Sequence, residues 1–347
     1  MKKYAWIIYW RGFMGKKIDL AIVGATGLVG STFLKVLEEK KNIKINNIYL
    51  YASERSAGKE ITFRDKKVKV ELLAEANIQN KHIDYALFSA GGRISQEFAP
   101  VFVKNGAIVI DNSSNFRMDK NVPLVVPQVN MDDAYTNSGI IANPNCSTIQ
   151  CMAPLSVLDK LFGLKKVRYV TFQAVSGSGM KGIADLKRSS VGEKCEFYPH
   201  PIYNNCLPHI DVFMENGYTK EEMKMVNETH KILHNESIDI SATCVRVPVY
   251  NSHSIAIEAE CEGEIDIKKY KKALSHMENV VVYDDVKKNI YPLATLATGN
   301  DNIYVGRIRH GIENKNSLHM FVVADNIRKG AASNAVEILE KMIKKGN

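Results

Sequence analysis

The chain has 347 residues, 45% of them hydrophobic and 24% charged, with a net charge of +8. That length exceeds one ordinary core and favours two domains, and its lysines are scattered, as at Lys35, Lys40 and Lys41, without the dense basic block that nucleic acid would call for. Six cysteines show no CxxC pair and no dense framework, which fits a reducing, cytoplasmic setting.

Residues 1–16 read as an N-terminal extension. The apolar stretch from Tyr4 to Trp10 is far too short to span a bilayer and lacks a signal-peptide cleavage pattern, so no membrane association is expected. Met14-Gly15-Lys16-Lys17 directly precedes the first strand, which suggests that translation begins at Met14.

Residues 18–23 form an apolar strand followed at once by Gly24-Ala25-Thr26-Gly27-Leu28-Val29-Gly30 and an amphipathic helix. Strand, glycine turn and helix in that order mark a dinucleotide site, where the pyrophosphate rests on a helix N-terminus. The next strand, 48–52, ends in Ser53-Glu54-Arg55-Ser56. An NAD site places an acid at that strand end. Hydroxyls and a guanidinium suit a 2′-phosphate, so NADP is expected. Residues 68–73 read as an edge strand. Residues 83–89 read as a strand running into Ala90-Gly91-Gly92, with a helix over 93–104. A strand at 107–110 leads to the polar cluster 111–117, which makes Arg117 a candidate anion clamp.

After a strand end at 139–142, Asn143-Pro144-Asn145-Cys146-Ser147-Thr148 opens a helix. Pro144 forbids an earlier start and Asn145 is the expected N-cap. A cysteine in the first turn meets unpaired N–H groups and the positive helix end, which favour the thiolate nucleophile. A buried structural cysteine is the competing reading.

The strand 167–174 carries Gln173 and leads to the loop Val175-Ser176-Gly177-Ser178-Gly179. The loop around Cys195, His200, Cys206 and His209 has no zinc spacing, so no metal is expected. A helix over 219–233 opens with the capping box Thr219-x-x-Glu222 and carries Glu228 and Lys231 on one face. Strand-like runs at 238–249 and 254–262 join through Tyr250-Asn251-Ser252-His253, with Arg246 on the first. A cysteine–histidine pair with arginines suits acyl transfer through a thioester on an acidic substrate. Further strands are expected at 280–283, 302–309 and 317–324, and a last helix runs from about 325 to 344.

These motifs stand in one order, from Gly24-Ala25-Thr26-Gly27 through Ser53-Glu54-Arg55-Ser56-Ala57-Gly58, Ser89-Ala90-Gly91-Gly92 and Asn112-Ser113-Ser114-Asn115-Phe116-Arg117 to Asn143-Pro144-Asn145-Cys146. They continue through Gln173-Ala174-Val175-Ser176-Gly177, Glu228-Thr229-His230-Lys231, Arg246-Val247-Pro248-Val249-Tyr250-Asn251-Ser252-His253 and Asp325-Asn326-Ile327-Arg328-Lys329-Gly330. From about Lys17 to the C-terminus the series resembles the aspartate-β-semialdehyde dehydrogenase family.

The resemblance implies an α/β fold like that of glyceraldehyde-phosphate dehydrogenase. A Rossmann-type NADP-binding domain would span 17–145, completed by the C-terminal helix 326–347. An α+β catalytic and dimerisation domain with a mixed, largely antiparallel sheet would span 146–325. It implies Cys146 as nucleophile, His253 as general acid/base and Gln173 as the group orienting the thioester. Arg246 would pair with the substrate α-carboxylate, Glu228 with its amino group, and Arg117 and Lys231 with the phosphate. The cofactor would lie against Gly24, Ala25, Thr26, Gly27, Leu28, Val29 and Gly30, against Ser53, Arg55 and Ser56, and against Ser89, Ala90, Gly91 and Gly92. Ser176, Gly177 and Asn326 would complete that site. The implied reaction is NADPH-dependent conversion of L-aspartyl-4-phosphate to L-aspartate 4-semialdehyde and phosphate. This step serves lysine, diaminopimelate, threonine, methionine and isoleucine biosynthesis, in a cytoplasmic homodimer or tetramer. The rivals are an N-acetyl-glutamyl-phosphate reductase, a glyceraldehyde-phosphate dehydrogenase and an NADP-sensing regulator without catalysis.

Overall fold

The computed structural model describes residues 17–345, so the extension 1–16 and its Met14 start lie outside the described residues. Strand β1 (Ile18–Val23) is buried along its whole length, as a central parallel strand covered on both faces must be. A glycine turn leads to helix α1 (Leu28–Glu39). Strands β2 (Ile45–Ala52), β3 (Glu60–Phe63), β4 (Lys66–Leu72) and β5 (Tyr85–Phe88) follow. Helix α2 (Gly92–Lys104), β6 (Ile108–Asp111) and β7 (Ile140–Ala142) complete this part. The seven strands form one sheet in the order β3-β4-β2-β1-β5-β6-β7. Only β3 and β4 pair antiparallel. The edge strand expected at 68–73 is β4, which lies one place inward. The edge is β3, four residues too short to show a pattern in the sequence.

The second sheet begins after helix α3 (Cys146–Phe162). Strand β8 (Leu164–Gln173), helix α4 (Gly179–Ser190) and helix α5 (Lys220–Leu233) precede β9 (Asp239–Arg246) and β10 (His253–Cys261). Helix α6 (Ile267–Leu274), β11 (Val280–Val282), β12 (Ile303–His310) and β13 (Ser317–Ala324) follow, before the final helix α7 (Asn334–Lys345). The strand order is β11-β12-β13-β10-β8-β9. Three pairings are antiparallel and two, β8 with β9 and β11 with β12, are parallel. Adjacent in sequence, β9 and β10 do not form a hairpin, because β8 lies between them. Their link crosses the end of β8, where the Val247 and Val175 N–H groups donate to Gln173 O and Val249 O at 3.0 and 2.8 Å. That crossing brings Gln173, Arg246 and His253 to one place.

Ile149, Met152 and Leu155 of α3, Met225 of α5 and Tyr270 of α6 pack on Ile255, Ile257 and Val322 in the core under the second sheet. Val336 and Leu339 of α7 return to the first sheet and share a core with Ile22, Phe33 and Leu50. This is the expected α/β class, with a parallel Rossmann-type sheet and a separate mixed sheet. No helix among the described residues is long and apolar enough to cross a membrane.

Candidate active site

Asn145 starts α3 by accepting the N–H groups of Ser147 and Thr148 at 2.9 and 3.4 Å. Cys146 is therefore the first helical residue, and its Sγ lies 3.2 Å from His253 Nε2. A side chain at position 330 would put its Cβ 2.9 Å from Cys146 Cβ, so Gly330 lets the turn before α7 close over the cysteine. At Gly177 a Cβ would lie 2.8 Å from Arg246 Nη1 and 3.1 Å from His253 Cε1. The first approach demands glycine, and at Gly177 a side chain would have to shift the Arg246 guanidinium and crowd the His253 ring.

Cys146 opens on a cleft of about 590 Å³ between the two sheets. Arg117, Gln173, Ser176, Gly177, Arg246 and Asn326 line it, with Leu28, Val29 and Ser89 from the first sheet. Arg246 is 4% exposed; its Nη1 donates to Ala174 O at 2.7 Å, and its buried Nε has no partner among the described residues. An anion in the cleft would satisfy it. Arg117 donates to Asn143 O, to Asn112 O and to Glu228, each at 2.9 Å.

Two expected contacts fall elsewhere. Glu228 gives one oxygen to Arg117 and the other to the Asn145 N–H at 2.6 Å, and it does not line the cleft. Lys231 is turned away, its ammonium spent on the carbonyls of Arg117, Asp119 and Val122 at 2.7, 2.7 and 2.8 Å. The cleft is lined instead by Glu221 and Lys224, 3.1 Å apart. The pattern Glu-x-x-Lys occurs twice on α5, seven residues apart, so both copies share a face. They differ by two turns, about 10 Å along the axis, and only the first reaches the cleft. The capping box at Thr219 and Glu222, which forms as expected, is the sequence signal that places Glu221 at the helix start.

Glu221 accepts the Asn145 and Gln173 side-chain amides at 2.9 and 3.1 Å. Burial alone would raise its pKa, but Lys224 and these amides hold it below the usual range. The helix terminus that favours a thiolate at Cys146 is opposed by its surroundings. Burial first, then Glu221, push the Cys146 thiol up to about 11, against the pull of Arg246, Arg117 and Lys224. Burial and Arg246 hold His253 well below its ordinary value. Both surroundings favour the uncharged forms.

The first sheet supplies a cradle that fits a dinucleotide. Gly24 has φ +83°, and a Cβ there would lie 2.8 Å from Ser89 O. The turn after β2 brings Ser56 to Thr26, whose hydroxyl donates to Ser56 Oγ at 3.2 Å, while Ser53 and Arg55 stay exposed. Ser176, buried, bonds Asn326 and Asn251 at the far end. Gly27 caps α1, its own N–H donating to Gly24 O at 3.0 Å, and Ala90, Gly91 and Gly92 stand at the start of α2. The first N–H groups of each helix have no intrahelical partner and suit a phosphate.

Residues 19–136 match the family model described as "Semialdehyde dehydrogenase, NAD binding domain", and residues 153–329 match "Semialdehyde dehydrogenase, dimerisation domain". Aspartate-semialdehyde dehydrogenase of Aquifex aeolicus (strain VF5) is 52% identical over 342 residues, covering 96% of this chain and 99% of that protein. That of Bacillus subtilis (strain 168) is 43% identical, covering 95% and 99%. The crystal structure of aspartate semialdehyde dehydrogenase II from Vibrio cholerae, also described in complex with ASA, superposes with a TM-score of 0.89 at 40% identity, covering 95% of this chain and 99% of that one. The Candida albicans enzyme, solved with NADP, gives 0.73 at 25% identity with the same coverage. A nucleotide-binding sheet facing a part-buried cysteine–histidine pair thus defines an oxidoreductase that uses a nicotinamide cofactor. The chain belongs to the aspartate-semialdehyde dehydrogenase family.

Proposed function

We propose that this protein converts L-aspartyl-4-phosphate to L-aspartate 4-semialdehyde and phosphate, reversibly, through a thioester on Cys146 and with NADPH in preference to NADH. The observation that carries the reading is the 3.2 Å approach of Cys146 to His253 beside a cleft whose charges match the substrate. Arg246 takes the α-carboxylate and Glu221 the ammonium. Arg117 and Lys224 take the phosphate, a pairing that suits two cations to a doubly charged group.

Cys146 Sγ attacks the acyl carbon, the bond to the phosphate oxygen breaks, and a thioester remains. The thioester is needed because a carboxylate accepts hydride poorly. The nicotinamide, when bound, supplies the hydride. Backbone N–H groups at the start of α3 would stabilise the oxygen that gains charge. The thiohemiacetal's C–S bond then breaks, the carbonyl of the semialdehyde forms, and His253, as general acid/base, returns a proton to the departing sulfur. Gln173, tied to Glu221, holds the acyl group in line. Residues 17–145 with the C-terminal helix would hold the cofactor, and 146–325 would carry the chemistry and join two copies into a cytoplasmic homodimer. The place of this step before lysine, diaminopimelate, threonine, methionine and isoleucine belongs to the same reading.

An N-acetylated substrate has no ammonium, so Glu221 beside Arg246 favours aspartate over an N-acetyl-glutamyl rival. The test follows NADPH formation from L-aspartate semialdehyde, NADP and phosphate. Wild type should turn over only with phosphate, and Cys146→Ser should not. Turnover of N-acetyl-glutamate semialdehyde in its place would overturn the reading.

A further inference from the structure

Lys224 has three N–H donors, and carboxylates already take two of them. Glu221 Oε2 lies 3.1 Å from its Nζ, and Asp211 Oδ2 lies closer, at 2.8 Å. Asp211 belongs to the long loop between α4 and α5 and lines the cleft beside Ile210. The two carboxylates are held differently. Glu221 sits on a helix, its side chain 7% exposed, with its other oxygen taken by the Asn145 and Gln173 amides. The Asp211 side chain is 35% exposed, and its other oxygen accepts the adjacent Val212 N–H at 2.9 Å. Its backbone has φ +69°, a left-handed conformation that residues with a side chain seldom adopt.

The loop around Asp211 is tied down on its own account. Val212 O accepts the Lys220 N–H at 2.9 Å, Met214 N–H donates to Tyr218 O at 2.8 Å, and the His209 and Phe213 rings stack 4.3 Å apart. The Asp211 side chain can therefore turn without the loop unravelling. Charge supplies the reason to turn. The charged side chains at the cleft are Arg246, Lys224, Glu221, Asp211 and Arg117 with its partner Glu228. Cations and anions are equal in number, so the cleft is neutral as it stands. An aspartyl phosphate brings an α-carboxylate, an ammonium and a doubly charged phosphate, two negative charges in all. Around Lys224 one ammonium stands between two carboxylates, so its third N–H points from a patch that is net negative. Burial alone would raise the Asp211 pKa, but Lys224 holds it below the usual carboxylate range, so it stays an anion. A phosphate arriving at Lys224 meets like charge there.

We propose that Asp211 is an internal competitor for the phosphate: it holds Lys224 in the empty cleft and yields it when the phosphate arrives. The inference rests on the reading above that Lys224 takes the phosphate. Asp211 is a positioning residue, since it acts through Lys224 and not on the substrate. While the cleft is empty it keeps the ammonium aimed inward. Glu221 is the carboxylate that stays, because two buried amides and a helix hold it. Asp211 is the one that leaves, because its side chain is exposed and its second contact is a single N–H. The competition also selects among anions. A doubly charged phosphate outbids one carboxylate for the ammonium, and a singly charged anion such as acetate does not.

The test titrates inorganic phosphate into the protein by calorimetry, for wild type, Asp211→Asn, Lys224→Met and the double variant. Asparagine keeps the oxygen that accepts the Val212 N–H and tolerates left-handed backbone, but it removes the charge. Asp211→Asn should bind phosphate about tenfold more tightly, the worth of one charged hydrogen bond, with a matching fall in the KM for phosphate. The double variant should bind no more tightly than Lys224→Met alone. Unchanged or weaker binding in Asp211→Asn would make Asp211 a fixed support of Lys224 and overturn the proposal. Tightening of the same size in the Lys224→Met background would show a general charge effect and overturn it too. Phosphate affinity that Lys224→Met leaves untouched would remove both the proposal and the reading beneath it, whereas Lys224-dependent binding without the tightening removes the proposal alone. A second measurement needs no variant. When Asp211 turns, the Val212 N–H loses its acceptor, so hydrogen exchange at Val212 in wild type should quicken when phosphate is added. Slower exchange would mean that the loop closes with Asp211 in place, against the proposal.

Discussion

Glu228 Oε1 lies 2.9 Å from Arg117 Nη1, and its other oxygen takes the Asn145 N–H at 2.6 Å. One carboxylate therefore ties helix α5 both to the loop bearing Arg117 and to the start of the helix bearing Cys146. It is a clamp between elements, 1% exposed, and not a contact for substrate.

Replacing that carboxylate strands a buried guanidinium. Glu228→Ala should lower the unfolding free energy by about 3–5 kcal/mol. Glu228→Gln, which still accepts a hydrogen bond, should cost about 1–3 kcal/mol. Urea denaturation reads both, and a loss below about 1 kcal/mol in the alanine variant would remove the clamp role.

The two lysines of α5 should separate cleanly. Lys224→Met should reduce kcat/KM roughly 10–100-fold, the worth of a charge-assisted hydrogen bond, with the effect concentrated in the KM for phosphate. Lys231→Met should act mainly on stability, since three backbone carbonyls of the 117–122 segment lose their donor. The reverse assignment of effects would restore Lys231 as the phosphate ligand.

Arg55 sits exposed beyond β2, next to the Ser56 hydroxyl that Thr26 holds. Arg55→Ser should lower kcat/KM for NADPH about tenfold, one charge-assisted contact, and leave the value for NADH unchanged. Parallel steady-state assays with the two cofactors decide it, and equal losses would show that Arg55 does not read the 2′-phosphate.

The C-terminal helix should show an acid limit. Glu340 bonds Lys40 at 3.0 Å, Asn42 at 2.8 Å and Lys344 at 2.7 Å. Burial by itself would raise its pKa, but these partners lower it to about 2 from 4.5. A carboxyl depressed in the folded state releases its proton more readily there than when unfolded. Its stabilisation is therefore full above pH 4.5 and fades as pH falls through about 2. After allowance for screening it is worth about 1–2 kcal/mol. Glu340→Gln should be less stable than wild type at pH 7, and the difference should shrink towards zero as pH falls to about 2 and below in guanidinium titrations. A difference that persists at the acid end would contradict the pairing.

What the sequence determined by itself is local. Pro144 and Asn145 set where the Cys146 helix starts, because a proline excludes helical backbone before it and an asparagine side chain caps the first turn within three residues. The capping box from Thr219 to Glu222 and the strand–glycine–helix unit at 18–39 are legible for the same reason. The tertiary structure decided what depends on distant chain. Glu221-x-x-Lys224 and Glu228-x-x-Lys231 are the same pattern on the same face, and only the packing of α5 against Asn145 and Arg117 tells them apart. The neighbours of β8 could not be read from order along the chain, since β9 and β10 flank it from one side of the sequence. The surroundings of Cys146 and His253 come from distant chain too: the backbone N–H that donates to His253 Nδ1 is that of Ala174, 79 residues away in sequence. A helix dipole is written in local sequence, but desolvation is a property of the assembled site, and at Cys146 burial pushes the thiol up.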